Sequence, residues 1–213
     1  MYLADEFYLI AHQDSTGQPR LHSRAAGYGL AAALLAELHL HGNLTMDDHN
    51  VTVTSLVPPP DPLAHNVLEH LLDEPYKRPV RDWLAFLGRT AVEDVAKRLA
   101  RLGMLEVVET KRLWGVSRTY VPVAINDAAW PLARITTRLL SGVTRRGVEL
   151  SLPDQILTGL CFATGLTRQM VWGDEQHSAR QYLGQVIGGL PPPMRILVTE
   201  TEIAISKTAA TRG

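Results

Sequence analysis

A single cysteine, Cys161, stands in a chain of 213 residues. No disulfide can form within it, and the fold must rest on its packed core. Cys161 lies in the apolar run Ile156–Ala163, the setting of a buried thiol in a reducing compartment rather than of a nucleophile. An excess of charge is also missing. The 21 basic and 22 acidic residues leave a net charge of −1, which disfavours a generic nucleic-acid binder and leaves room only for a local basic patch. No apolar run reaches the roughly 20 residues that span a bilayer, so any membrane contact is expected to be peripheral. Met1–Ile10 carries Asp5 and Glu6 but no basic start, so no cleavable leader is expected. Walker-type and GxGxxG loops, HExxH and paired Cys ligands are absent. His39 and His41, two apart on a helix, point to different faces. Carboxylates are scattered without a pair that spacing singles out. The expectation is a non-enzymatic protein with no cofactor and no metal.

What is present is a core: 46 % of the residues are hydrophobic. The stretch Gly27–Leu44 predicts one central buried helix. Leu30, Leu34, Leu35 and Leu38 mark a helical face, and Ala31, Ala32, Ala33 and Ala36 fill much of the rest. A helix apolar almost all round belongs in the middle of a protein. Gly42 suits its C-terminal cap. Glu37 is expected to pair with a cation or with backbone donors.

Around this helix the chain predicts a mainly α, single domain over 1–206 with a flexible tail at 207–213. Tyr2–Ala11 reads as a helical turn or extended lead-in. Arg20, His22 and Arg24 form a small basic cluster before the central helix, where helix N–H groups favour anions. Asn43–Val57 reads as a β-hairpin about an Asp/Asn turn. Helices follow at Leu63–Leu72, Val80–Leu87 and Ala91–Leu102, the last with Thr90 as N-cap and Glu93 in a capping box. Its buried set is Val92, Val95, Ala96, Leu99 and Leu102, and its open face carries Lys97, Arg98 and Arg101. Met104–Val123 reads as a protruding hairpin, near 107–123, whose tip runs from Arg112 to Val116. The apolar Leu113, Trp114 and Val116 on that tip suit membrane insertion or self-association, flanked by Lys111, Arg112 and Arg118. Further helices are expected at Asp127–Leu140, Gln155–Thr164 and Glu175–Val186. Met194–Ile205 is open between strand and helix.

The opening LADEFYLIAHQD, the helix GYGLAAALLAELHLHGNL, the segment VRDWLAFL, the run AVEDVAKRLARLGMLEVVE with its hairpin, and LPDQILTGLCFATGL together resemble the Golgi phosphoprotein family, from about Leu3 to about Ile187. The Ala-, Leu- and Arg-rich composition points to a bacterial member. The resemblance implies a central helix ringed by helices, a hairpin for membrane contact and oligomerisation, and recognition of phosphatidylinositol 4-phosphate. The family's head-group aromatic falls on His22. Its arginines fall on Ala31, Arg89 and Val92, of which Arg89 alone is an arginine here.

The first reading is therefore a cytoplasmic protein peripherally bound to an anionic phospholipid surface. Arg89, His22, Arg20, Arg24 and Arg112 would meet head groups, and Leu113, Trp114 and Val116 would insert or oligomerise. Its protein client is open. One alternative is a winged-helix DNA-binding regulator, with Ala91–Leu102 as recognition helix and Lys111–Arg118 as wing. The other is a soluble scaffold that has lost lipid binding.

Overall fold

The computed structural model describes residues 1–74, 76, 78–112, 115–144, 150–170 and 176–210; the side chains of 110–112, 115–117, 143–144, 176–180 and 208–210 are outside that description. Leu113, Trp114, Arg145 and Arg146 thus lie outside the described residues, as do the side chains of Arg112 and Val116.

The chain opens with α1 (Leu3–Ala11) and α2 (Ser23–Leu40), then a hairpin of β1 (Leu44–Asp47) and β2 (Asn50–Val53). Next come α3 (Pro62–Leu72), α4 (Val80–Leu87) and α5 (Ala91–Arg101). A second hairpin follows, β3 (Leu105–Arg112) and β4 (Gly115–Pro122). The chain closes with α6 (Ile125–Thr144), α7 (Leu152–Ala163), α8 (Thr167–Met170), α9 (Gln176–Gly188) and α10 (Pro192–Ala210). The protein is mainly helical, one domain with two small antiparallel hairpins.

Every residue of α2 from Ala26 to Leu38 is buried. It packs against α1, α3, α4, α5, α7, α10 and β1, which is why its sequence is apolar on all sides. The helix begins earlier than its apolar run does. His22 is the N-cap, its Nδ1 accepting from the Arg24 N–H at 3.3 Å, so Arg24 belongs to the first turn rather than to a preceding loop. At the other end Asn43 N–H reaches back to Leu38 O at 2.9 Å across Gly42, whose φ of +79° favours glycine.

Met194–Ile205, open between strand and helix, falls in α10: Met194, Leu197, Val198 and Thr201 are buried at helical spacing, and its β-branched residues do not override that face. α10 extends to Ala210. Several other expectations are corrected. Leu102 follows the last turn of α5 as its C-cap and is 59 % exposed, and Trp130 on the outer side of α6 is equally so. Thr90 precedes α5 but makes no side-chain cap hydrogen bond. The β3–β4 ladder continues to the pair Arg112–Gly115, so both residues, with Val116 opposite Lys111, are strand rather than tip. Most important, Arg98 does not share an open face with Lys97 and Arg101; it is buried.

Candidate functional site

The turn Gly88–Thr90 joins α4 to α5 and holds Arg89. Two backbones fix that turn. A Cβ on Gly27 would lie 2.3 Å from Gly88 O, so the early turns of α2 press directly on it. Tyr28 completes the contact: a Cβ on Gly88 would meet its ring carbon at 2.9 Å.

Beside the turn runs a groove of about 420 Å³ between α3 and α5. Its floor is apolar, from Leu34, Leu63, Val67 and Leu87. Its rim is basic. Lys97 and Arg101 stand one helical turn apart on α5 and so share a side. Among the described residues, Arg89, Lys97 and Arg101 against Asp94 leave the charged lining at +2, three cations less one carboxylate. Lys97 pairs with Glu93 at 3.4 Å, and Arg101 Nε donates to Lys97 O at 3.3 Å. Arg89 is exposed and has no ion-pair partner among the described residues. Five N–H donors in a planar fork at the end of a cationic groove suit a phosphate.

The other expected site residues disperse. Arg24 is exposed and lies 5.8 Å from the Tyr28 ring, which links it through Tyr28 to the Arg89 turn. His22 is exposed and spends Nδ1 on capping α2. Arg20 turns away: its Nε donates to His12 O at 2.9 Å, its guanidinium sits 3.8 Å from Asp14, and it walls a separate cavity of about 250 Å³ against α6. The positions matched to the family's other arginines are apolar. Ala31 has no exposure, and Val92 is packed against the core. Arg112 occupies the end of β3, away from these in sequence and with its side chain undescribed.

Sequence reading missed what Arg98 does. Its Nε donates to Asp5 Oδ1 at 2.7 Å and its Nη1 to Asp61 Oδ2 at 2.8 Å. Both terminal nitrogens reach Glu37 at 3.2 Å. Glu37 also accepts from Ala4 N–H at 2.7 Å, so its expected pairing with a cation and a backbone donor is met. Three buried carboxylates share one guanidinium. Burial pushes the Asp5 and Glu37 carboxyls up from their ordinary range, and the attraction of Arg98 offsets this only in part. On Arg98 burial pulls down, but Glu37, Asp5 and Asp61 together more than reverse it. The one advance signal was Glu37 itself, a carboxylate on an apolar helix. A second cluster adjoins it through α1: Arg134 clamps Glu6 at 2.6 Å and Asp154 at 2.9 Å, and Arg138 also meets Asp154. These clusters are structural joints between helices: Arg134 and Arg138 balance Glu6 and Asp154, whereas Arg98 alone faces three carboxylates. Burial also pushes the Cys161 thiol well up, as its apolar surroundings predict.

Among the described residues no helix is long and apolar enough to cross a membrane, and no group of three or more His, Cys, Asp or Glu is arranged to hold a metal. No curated protein matches the chain. A family model does match it, over residues 3–201, and in keeping with the central buried helix and its ring of helices the chain belongs to the Golgi phosphoprotein 3 (GPP34) family.

Proposed function

We propose that this protein is a non-enzymatic, peripheral membrane protein that binds phosphate-bearing, anionic lipid head groups through the groove beside Arg89. The observation that carries this reading is the exposed Arg89 guanidinium without an ion-pair partner among the described residues, at a groove with two further cations on an apolar floor. Basic residues near an anionic surface contribute about 1 kcal/mol each, so stable attachment needs several together with an apolar contribution. The β3–β4 hairpin is the source of that contribution in this reading, with Leu113, Trp114 and Val116 as the inserting or oligomerising residues. Phosphatidylinositol 4-phosphate is the family-based candidate ligand, with Arg89 in place but apolar residues at two of the matched arginine positions. Residence is cytoplasmic, on the membrane face.

Support for the winged-helix alternative is reduced by the burial of Arg98, which removes one of the three cations assigned to its recognition helix. The test is co-sedimentation with vesicles of phosphatidylcholine alone, or with added phosphatidylinositol, its 4-phosphate, or a generic anionic lipid, at two salt concentrations. Binding to the anionic vesicles that weakens in Arg89→Gln is the expected result. No binding to any vesicle would leave the scaffold reading, with the resemblance one of fold.

A further inference from the structure

One carboxylate oxygen serves both the Arg89 groove and the second hairpin. Glu93 lies in the first turn of α5. Its Oε1 accepts from the Tyr120 hydroxyl of β4 at 2.9 Å, and the Lys97 ammonium stands 3.4 Å from the same atom. Lys97 lines the groove, whereas Glu93 is not among the groove's described lining residues. The pair therefore ties a groove cation to a carboxylate outside the groove. Arg118, the neighbouring cation on β4, is engaged with Glu109 across the ladder at 3.0 Å.

The hairpin reaches Glu93 because its base is fixed. Tyr120 pairs with Val107 near the Leu105–Pro122 end of the ladder. The turn around Gly17 presses on the strand there, and a Cβ on Gly17 would overlap Tyr120 O. The Tyr120 ring packs against the core, and β3 lies on α5. Burial, with the hydrogen bond to Glu93, pushes the Tyr120 phenol up from its ordinary value, so it stays a donor at neutral pH. Two donors on one oxygen compete. The charge of Lys97 reduces the negative potential at Oε1 and weakens it as an acceptor for Tyr120, and the Tyr120 proton in turn reduces its attraction for Lys97. Lys97 and Glu93 are both exposed, and the flexible lysine stem lets the ammonium swing between carboxylate and groove.

We propose that Glu93 couples the hairpin to the groove: a phosphate in the groove draws the Lys97 ammonium off Glu93, and the carboxylate, relieved of its cation, holds the Tyr120 hydroxyl more tightly. The proposal rests on the phosphate reading of the groove. Linkage makes the effect reciprocal. A hairpin seated through Tyr120 loosens Lys97 and raises the affinity of the groove for phosphate by the same factor. Glu93 is thus a positioning residue that does not touch the ligand. The hairpin's seat on α5 and the occupied groove favour one another.

The test is an NMR titration of the full chain with inorganic phosphate at low salt. Tyr120→Phe, which keeps the ring and removes the hydroxyl, should weaken phosphate binding about twofold, within the range of one exposed ion pair. Glu93→Gln should tighten it by about the same factor. With Glu93→Gln already in place, Tyr120→Phe should have no further effect, and the same holds with Lys97→Gln in place. A hydroxyl that only supported the fold would act alike in every background. In the unaltered chain phosphate should also shift the Tyr120 ring signals, and Lys97→Gln should abolish that shift. A Tyr120→Phe effect of equal size beside Glu93→Gln, or no effect in the unaltered chain while Arg89→Gln still weakens phosphate, would overturn the coupling and keep the groove. No phosphate binding by the unaltered chain would overturn both.

Discussion

Arg98 and Asp5 meet at 2.7 Å, Nε to Oδ1, although 93 residues separate them in the chain. With Glu37 and Asp61 on the same guanidinium, this contact joins α1, α2, the N-cap of α3 and α5 at one buried point. Replacing Arg98 leaves three carboxylates without their cation. Arg98→Met is expected to lower stability by about 3–5 kcal/mol, the range for breaking a buried ion pair from one side. Asp5→Asn, which keeps an acceptor for Nε and relieves the acidic excess, should lower it by much less. Urea denaturation of the two variants measures the difference.

The same cluster makes stability depend on pH. Asp5 and Glu37 have raised carboxyl pKa values in the folded protein, so the folded state binds more protons than the unfolded one above their ordinary values of 3.8 and 4.5. Relative to the ionised cluster, the stabilisation is fully present below those values and is lost as pH rises through the raised ones. Glu37→Gln, which keeps an oxygen for the Ala4 N–H and the guanidinium, should flatten that fall. Melting temperatures across pH 4 to 8 give the comparison, and an unchanged slope would place the proton elsewhere.

Two glycines should respond with opposite signs. Gly27→Ala drives a methyl into the Gly88 carbonyl, at 2.3 Å, and the neighbour there is backbone that cannot swing aside. A loss of about 1–3 kcal/mol is expected, as for other overpacked sites. Gly184, inside α9, meets nothing within 4 Å. Gly184→Ala should gain about 0.5–1 kcal/mol from helix propensity. Thermal melts read both.

The groove should be separable from the core. Arg89→Gln is expected to weaken binding to anionic vesicles about fivefold, the equivalent of one surface cation, with melting temperature unchanged. Ala31→Arg, at a position of zero exposure, should lower stability by at least about 3 kcal/mol because an unpaired charge would enter the core. Val92→Arg, half-buried at the surface of α5, should be tolerated. Co-sedimentation and melts on the three variants check this.

The central helix could be read from its leucine and alanine pattern because burial on all sides leaves a local trace in composition. The first hairpin could be read from its Asp-rich turn, since Asp48 and His49 take the positive φ that such turns need. The last helix could not, because its β-branched residues compete with a helical face that its packing against α2, α7, β1 and α4 makes decisive. Of the candidate site, Arg89 came from a family resemblance, whereas Lys97 and Arg101 were visible as a basic helix face that had been assigned to the DNA-binding alternative and not to a groove beside Arg89.

Local pattern and composition, then, carried the class of fold, the core helix, the hairpins and the absence of a membrane-spanning run, because each depends on residues close together in the chain. Long-range packing alone decided that Arg98 is an internal joint while Lys97 beside it is free to face a groove. It decided that Arg20 turns to His12 and Asp14 while Arg24 lies against the Tyr28 ring. Those outcomes depend on which helices cross at which depth, and a guanidinium is drawn inside only where three carboxylates from distant segments converge to hold it.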